Sequence, residues 1–125
     1  MDSYKELSDP EVDEKIWELK NSFKDDLFIP VHHYQRDEIA QFADCTGDSL
    51  ELSRVSAGTE AKFIVFCGVY FMAEIARVLA DVGKHVFVPE RAAGCPLADF
   101  AFREDVENVW DTLNSVHPVS YTHLT

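Results

Sequence analysis

The sequence predicts a layered α/β domain built on a short parallel sheet. Apolar runs rich in β-branched and aromatic residues alternate along the chain with segments whose apolar residues recur every three or four positions. These runs lack polar alternation, which is typical of strands covered on both faces of a parallel sheet. Strands and helices that alternate in this way imply parallel βαβ units. A length of 125 residues suits one domain with a hydrophobic core and is too short for two ordinary domains.

Residues 1–26 are predicted to form an acidic N-terminal helical segment. Ser8 followed by Glu11 is a capping-box signature, and Pro10 suits an early helical position. One apolar stripe follows at helical spacing and consists of Val12, Ile16, Leu19 and Phe23. We therefore expect a helix over about residues 10–23 that packs this stripe on the domain and turns its charged residues to solvent.

Residues 27–118 are predicted to form the domain itself. We expect its strands at Leu27–Val31, Phe63–Val69 and Val86–Val88. We expect its helices over about residues 36–44, 48–56, 72–79 and 106–113. Asp48 with Glu51 marks the start of the second of these helices, and Gly58 and Gly83 follow helices that should stop there.

Composition narrows the classes of function. The formal net charge of -12 repels phosphate backbones, so we expect no nucleic-acid partner. The apolar runs are too short to span a bilayer and no signal peptide follows Met1, so we expect no membrane partner. The three cysteines are odd in number and widely spaced, which does not suit a disulfide framework. We therefore expect a cytoplasmic location.

Chemically reactive side chains follow the predicted strands. His32, His33 and Tyr34 follow the first strand, and Cys95 lies in the loop after the third. Ligands of parallel sheets bind beyond the carboxyl ends of the strands. Strand alternation predicts that His32 and Tyr34 point the same way while His33 points oppositely. A His beside a Tyr can move protons or bind a carboxylate, although a hydrogen-bonded His that merely closes the strand explains the pattern equally well.

Three further residues have both a structural and a functional interpretation. Ser49 starts a helix, where free N–H groups favour an anion, but it also suits an ordinary helix start. Met72 belongs to a helical apolar stripe that is usually core. Cys95, held between glycine and proline, could be a nucleophile or a metal ligand. One thiolate does not complete a metal site, so either Cys45 and Cys67 join it or the other ligands lie outside this chain.

Four stretches, in order along the chain, resemble the quinolinate synthase family. They are Val31-His32-His33-Tyr34-Gln35, Phe42-Ala43-Asp44 leading to Gly47 through Arg54, Phe66-Cys67-Gly68-Val69-Tyr70-Phe71-Met72-Ala73-Glu74, and Pro89 through Asp99. The resemblance implies a three-layer αβα domain, the first of three similar domains around a central site. It also implies a transferase that condenses iminoaspartate with dihydroxyacetone phosphate to quinolinate in NAD biosynthesis.

The resemblance also implies roles for single residues. Cys95 would be the first-domain ligand of a [4Fe-4S] cluster whose other ligands this chain lacks, and Cys45 and Cys67 would not be ligands. His32 and Ser49 would hold substrate, and His32 with Tyr34 would be catalytic. Met72 would form an apolar wall that contacts substrate. We assign His33 no catalytic role, because relatives often have Asn there.

The resemblance covers about the first third of the family pattern. We therefore expect this fragment to be inactive alone and either poorly soluble or self-associating. We expect L-aspartate oxidase or aspartate dehydrogenase to be the upstream enzyme. Residues 119–125 resemble a translated sequencing adaptor, so we interpret them as a non-native tail. Two other classes are a non-catalytic acidic α/β interaction module and a hydrolase that uses Cys95 with His32.

Overall fold

The structure, a computed structural model, describes residue 4 and residues 6–117. The chain divides into one unit that ends at Ala93 and a second that begins at Gly94. The predicted tail at residues 119–125 lies outside the described residues. The helices of the first unit are α1 (Asp9–Phe23), α2 (Asp37–Ala40), α3 (Ser49–Gly58) and α4 (Tyr70–Leu79). Its strands are β1 (Leu27–Phe28), β2 (Pro30–His32), β3 (Cys45–Gly47), β4 (Phe63–Val65) and β5 (His85–Phe87).

All strand pairs are parallel, as the sequence predicts. β4 pairs with β1 on one side and with β5 on the other, and β2 pairs with β3. The Cys67 N–H donates to the Pro30 carbonyl and the His32 N–H donates to the Cys67 carbonyl, both at 2.9 Å. These bonds join β2 to the chain that follows β4, so β1 and β2 act as one interrupted strand. The resulting order is β3, β1 with β2, β4, β5.

Helices cover both faces of this sheet, which confirms the three-layer αβα prediction. α3 and α4 lie on one face, where Leu52, Phe66 and Met72 form a buried cluster. On the other face Ile29, Val31 and Phe42 are buried against side chains of α1, α2 and the sheet. Burial of these apolar side chains is the main stabilising contribution to such a domain.

Two cap signals predicted for the helices are confirmed. At α1 the Ser8 N–H donates to a Glu11 carboxylate oxygen at 2.8 Å, and Ser8 Oγ lies 2.6 Å from that oxygen. At α3 the Asp48 carboxylate accepts the Glu51 N–H at 3.0 Å. Both bonds satisfy groups at a helix start that have no partner within the helix, so local sequence sets where these helices begin.

The segment between residues 27 and 47 differs from the prediction. The expected single strand breaks at Ile29, whose N–H donates to Asp44 Oδ2 at 2.8 Å and whose carbonyl accepts the Asp44 N–H at 2.9 Å. The expected helix over residues 36–44 is wrong beyond Ala40, because the chain turns there. The Cys45–Gly47 segment, for which no strand is predicted, forms β3. These three residues have only a weak strand pattern. They form a strand because β2 supplies their hydrogen-bond partners, which the local pattern does not predict.

The strand expected over Phe63–Val69 is also shorter, and its outer face is incompletely covered. Ile64 and Phe66 are fully buried, and Phe66 packs with α3 and α4, whereas Phe63 and Val65 are half-buried. An apolar groove of about 580 Å³ runs between α1 and the sheet. The prediction of full cover on both faces is therefore wrong for this part of the first unit, because α1 and α2 reach only part of that face.

The second unit contains α5 (Pro96–Asp99) and α6 (Arg103–Val116). The predicted last helix is confirmed and is longer at both ends than its apolar stripe. Its apolar side chains are exposed within the described residues, including Val106, Val109 and Leu113. No helix of the described part of the chain is both long and apolar enough to cross a bilayer.

Candidate functional site

The strand order reverses next to β2. The chain runs from β2 outward to β3, and later returns across β2 to β4 and β5. Open parallel sheets bind ligands at such a switch point, beyond the carboxyl ends of the strands. The segments at this edge are the turn that begins at His32, the Gly47–Ser49 link between β3 and α3, and Gly68 before α4.

A tight turn after β2 brings three rings together. The Gln35 N–H donates to the His32 carbonyl at 2.9 Å and closes the turn. The His32 and His33 rings stack with centroids 4.5 Å apart, and the Tyr34 ring lies 4.9 Å from His32 and 4.3 Å from His33. The prediction that His33 points away from His32 is therefore wrong. Strand alternation ends with β2 at His32, and the turn rotates the next two side chains to the same side.

His33 ties this turn to the end of β3. Its backbone N–H donates to the Gly47 carbonyl at 3.2 Å, and its Nδ1 lies 2.9 Å from the same oxygen. Gly47 is closely approached on its other side, because a Cβ there would lie 2.9 Å from Glu51 Oε2. The link between His33 and Gly47 fixes the His32 turn relative to the first turn of α3.

The local environment favours the neutral form of His32. Burial lowers its pKa below the usual 6.5, the neighbouring His33 lowers it further, and the Asp48 carboxylate acts in the opposite direction. The neutral ring is therefore favoured at pH 7, and a neutral imidazole has one nitrogen that donates a hydrogen bond and one that accepts. Tyr34 is 84% exposed, so its hydroxyl is accessible from solvent.

Ser49 is the first residue of α3 and is half-buried. Its carbonyl accepts the Ser53 hydroxyl at 2.9 Å, and no residue in the described part of the chain hydrogen-bonds the Ser49 hydroxyl. The Asp48 carboxylate occupies the cap of this helix, which places a negative charge where an anion would otherwise bind. Ser49 can therefore donate one hydrogen bond to a ligand, but the helix start alone is a weak anion site.

Met72 lies beneath the site rather than on its surface. Its side chain is 1% exposed and packs with Leu52 and Phe66. A Cβ on Gly68 would lie 3.2 Å from Met72 Sδ and 3.1 Å from the Phe66 ring. The absence of a side chain at Gly68 thus lets the chain after β4 lie directly on Met72, and a ligand above Gly68 would be separated from Met72 only by this backbone.

Cys95 belongs to the second unit, where its carbonyl accepts the N–H groups of Ala98 and Asp99 at the start of α5. Its thiol is free and half-buried. The last residues of the first unit are held on α4, because the Tyr70 N–H donates to the Ala93 carbonyl at 2.8 Å and the Arg91 guanidinium lies 5.6 Å from the Tyr70 ring centroid. These contacts lie within the first unit.

The other two cysteines have structural surroundings. Cys45 lies on β3, and Cys67 lies beside β2, where burial raises the pKa of its thiol and so disfavours the thiolate that binds metals. Across residue 4 and residues 6–117, no group of three or more His, Cys, Asp or Glu side chains is arranged to hold a metal ion. A cubane cluster needs three or four thiolates. Cys95 fits one such ligand, and the described chain by itself does not make the site.

Sequence reasoning missed the contribution of Gly47 and Asp48 to this edge. The signal was present, since Asp48 marks a predicted helix start, but no strand is predicted for Cys45–Gly47. Recognising β3 would have placed both residues beside His32, because neighbouring parallel strands end at the same edge of a sheet.

Comparison with known proteins agrees with the sequence motifs. The family model described as NadA, quinolinate synthetase A protein, matches residues 14–124. The chain is 46% identical over 123 residues to quinolinate synthase of Lysinibacillus sphaericus (strain C3-41), which covers 98% of this chain and 34% of that protein. It is 43% identical over 130 residues to quinolinate synthase of Bacillus subtilis (strain 168), which covers 99% of this chain and 35% of that protein.

The chain spans about a third of the length of these curated relatives. The family match nevertheless extends over nearly all of it and includes the His32 turn, the Gly47–Ser49 link and the Cys95 loop. The chain therefore belongs to the quinolinate synthase family.

Proposed function

We propose that this chain is the first αβα domain of a quinolinate synthase, which condenses iminoaspartate with dihydroxyacetone phosphate in NAD biosynthesis. The observation that carries the proposal is the turn with His32 and Tyr34 at the switch point of a sheet whose sequence belongs to this family. The product is quinolinate, and phosphate and two waters are lost. An acidic interaction module is less well supported, because the match to the quinolinate synthase family extends over residues 14–124.

Each candidate residue has a distinct role in this proposal. Neutral His32 and the exposed Tyr34 hydroxyl hold or move protons on the substrate. The Ser49 hydroxyl anchors a carboxylate or phosphate oxygen, and Met72 supports the apolar floor below Gly68. Cys95 is one ligand of a [4Fe-4S] cluster, which would supply Lewis-acid chemistry when bound. The other ligands come from further domains, so this chain alone is inactive.

Three other expectations belong to the proposal. The acidic N-terminal segment, residues 1–26, contains α1 and precedes the domain at 27–118, and the complete enzyme has two further domains. We place the protein in the cytoplasm, since three free cysteines suit a reducing compartment. L-aspartate oxidase or aspartate dehydrogenase supplies iminoaspartate.

A chimeric enzyme tests this function. The segment of Bacillus subtilis quinolinate synthase that matches this chain is replaced by residues 1–117, and the purified, anaerobically reconstituted chimera is supplied with both substrates. We expect quinolinate by mass spectrometry and about three to four iron atoms per protein, as a [4Fe-4S] site requires. A soluble chimera with full iron content that makes no quinolinate would refute the proposed activity.

The cluster ligand is tested in the same chimera. Cys95→Ser should abolish the bound cluster and the product, because serine does not replace a thiolate on iron. Cys67→Ala is the matched control, since it removes a buried thiol with raised pKa, and it should keep the cluster. Full iron and sulfide content in Cys95→Ser would disprove the assignment.

A further inference from the structure

The two histidines of the turn have partners that fix opposite tautomers. The Tyr34 backbone N–H, which can only donate, points at His32 Nδ1 at 3.3 Å. His32 Nδ1 must therefore be an unprotonated acceptor, and the ring proton of neutral His32 lies on Nε2. The Gly47 carbonyl, which can only accept, lies 2.9 Å from His33 Nδ1. His33 must therefore carry a proton on Nδ1.

The bond from His33 to Gly47 also determines the position of His32. His33 holds the Gly47 carbonyl with both its backbone N–H and its ring, so the turn is attached at the end of β3 rather than only through β2. Its ring then stacks on His32 and meets the Tyr34 ring edge-on. Without the ring bond, only backbone hydrogen bonds would hold the turn, and we expect the long Tyr34 N–H contact to His32 Nδ1 to be lost first.

We propose that His33 is a positioning residue that, through its Nδ1–H bond to the Gly47 carbonyl, holds His32 as a hydrogen-bond donor at Nε2. This deepens the proposed function, on which it rests for the identity of the ligand. His32 would then donate to a carboxylate or phosphate oxygen of the bound substrate instead of accepting a proton at that atom. This narrows the proposed role of His32 to holding a proton against a substrate oxygen, and removal of a proton from the substrate falls to another group.

Several titratable groups surround His32 and enter any pH test. His33 and Tyr34 lie on its own turn, and Asp48 lies at the start of α3. The Cys67 thiol lies on the segment that follows β4, and the Cys67 carbonyl accepts the His32 N–H. Protonation of His32 at Nδ1 would turn the acceptor of the Tyr34 N–H into a donor, so acid should release the turn.

The test is a two-bond ¹H–¹⁵N NMR spectrum of the complete 125-residue chain labelled in histidine, with His32 assigned by His32→Gln. The wild type should show neutral His32 as the Nε2–H tautomer and His33 with a proton on Nδ1. His33→Asn should preserve the His32 tautomer, because the amide nitrogen of asparagine replaces Nδ1 at the same distance along the side chain. His33→Leu and His33→Gln should give averaged tautomers. His85→Leu, which removes a histidine stacked on Phe63 away from the turn, should change nothing at His32.

Two results would overturn the proposal. One is a wild-type spectrum in which His32 carries its proton on Nδ1. This measurement does not depend on whether any variant folds. The other is a folded His33→Leu chain whose His32 keeps a single Nε2–H tautomer. In the active chimera, His33→Leu should lower kcat/KM about tenfold and shift its acid limb, with rescue by His33→Asn. An inactive wild-type chimera with the expected NMR result would count against the proposed function alone. An active chimera with the same His32 tautomer in His33→Leu as in the wild type would count against this proposal alone.

Discussion

Asp44 connects α1 to the interrupted first strand, and its removal should destabilise the first unit. Its Oδ2 accepts the N–H of buried Ile29 at 2.8 Å, and its Oδ1 lies 2.8 Å from Lys20 Nζ of α1. Lys20 also donates to the Phe42 carbonyl at 2.7 Å. The Lys20 and Asp44 side chains are only 17% and 29% exposed, so solvent replaces neither partner fully.

The expected loss in Asp44→Ala is about 2–3 kcal/mol of unfolding free energy. A buried N–H left without a partner costs about 1–3 kcal/mol, and an ammonium that loses its partner in a partly buried site adds to this cost. Asp44→Asn should lose about 1 kcal/mol, because its amide oxygen can still accept the Ile29 N–H.

Urea unfolding of the complete chain, followed by circular dichroism, measures these differences as shifts in the midpoint at constant slope. Asp26→Ala is the matched control, since the Lys62–Asp26 pair has side chains that are 64% and 50% exposed, and it should change stability by less than about 1 kcal/mol. If Asp44→Ala and Asp26→Ala have the same midpoint, Asp44 does not hold the α1 layer on the sheet and the reasoning fails.

Three further predictions follow from other sites. Gly68→Ala should lower the unfolding free energy by about 1–3 kcal/mol in urea, because the added Cβ would lie 3.2 Å from Met72 Sδ. Gly58→Ala is the control, since a Cβ there meets nothing within 4 Å, and it should be neutral or stabilising. Equal urea midpoints for the two variants would contradict this reasoning. Because the folded pKa of His32 is lowered below 6.5, its contribution to stability is complete above pH 6.5 and is lost as pH falls through the folded pKa. A His32→Gln variant should lack this part of the pH dependence of the unfolding free energy. An NMR titration that gives His32 a pKa above 6.5 would contradict the prediction. The raised pKa of Cys67 should make it react with iodoacetamide more slowly at pH 8 than a model thiol does, as mass spectrometry would show, and equal rates would refute its burial.

The elements that were predicted correctly are those whose signals are local. The starts of α1 and α3 depend on cap side chains three residues from the groups they bind, so Ser8 with Glu11 and Asp48 with Glu51 were sufficient. α4 carries its apolar stripe on consecutive turns, and its existence followed from spacing alone. The position of His32 at the end of a parallel strand also followed from the apolar run before it.

The elements that were missed depend on partners far along the chain. β3 is three residues long and becomes a strand because β2 supplies its hydrogen bonds. The break at Ile29 requires Asp44, fifteen residues later, to compete with the sheet for the backbone. Neither contact leaves a periodic signal, since each joins only a few residues of distant segments.

The sequence by itself determined the α/β class, the parallel sheet, the helix starts and the family, because caps, apolar periodicity and motif spacing are properties of neighbouring residues. Tertiary structure alone decided that His33 stacks on His32, that Gly47 holds this turn, and that Met72 lies beneath Gly68. These contacts depend on where β2 ends and on which backbone groups have no hydrogen-bond partner in the sheet. Only the folded sheet fixes both, because the hydrogen bonds that end a strand come from another part of the chain.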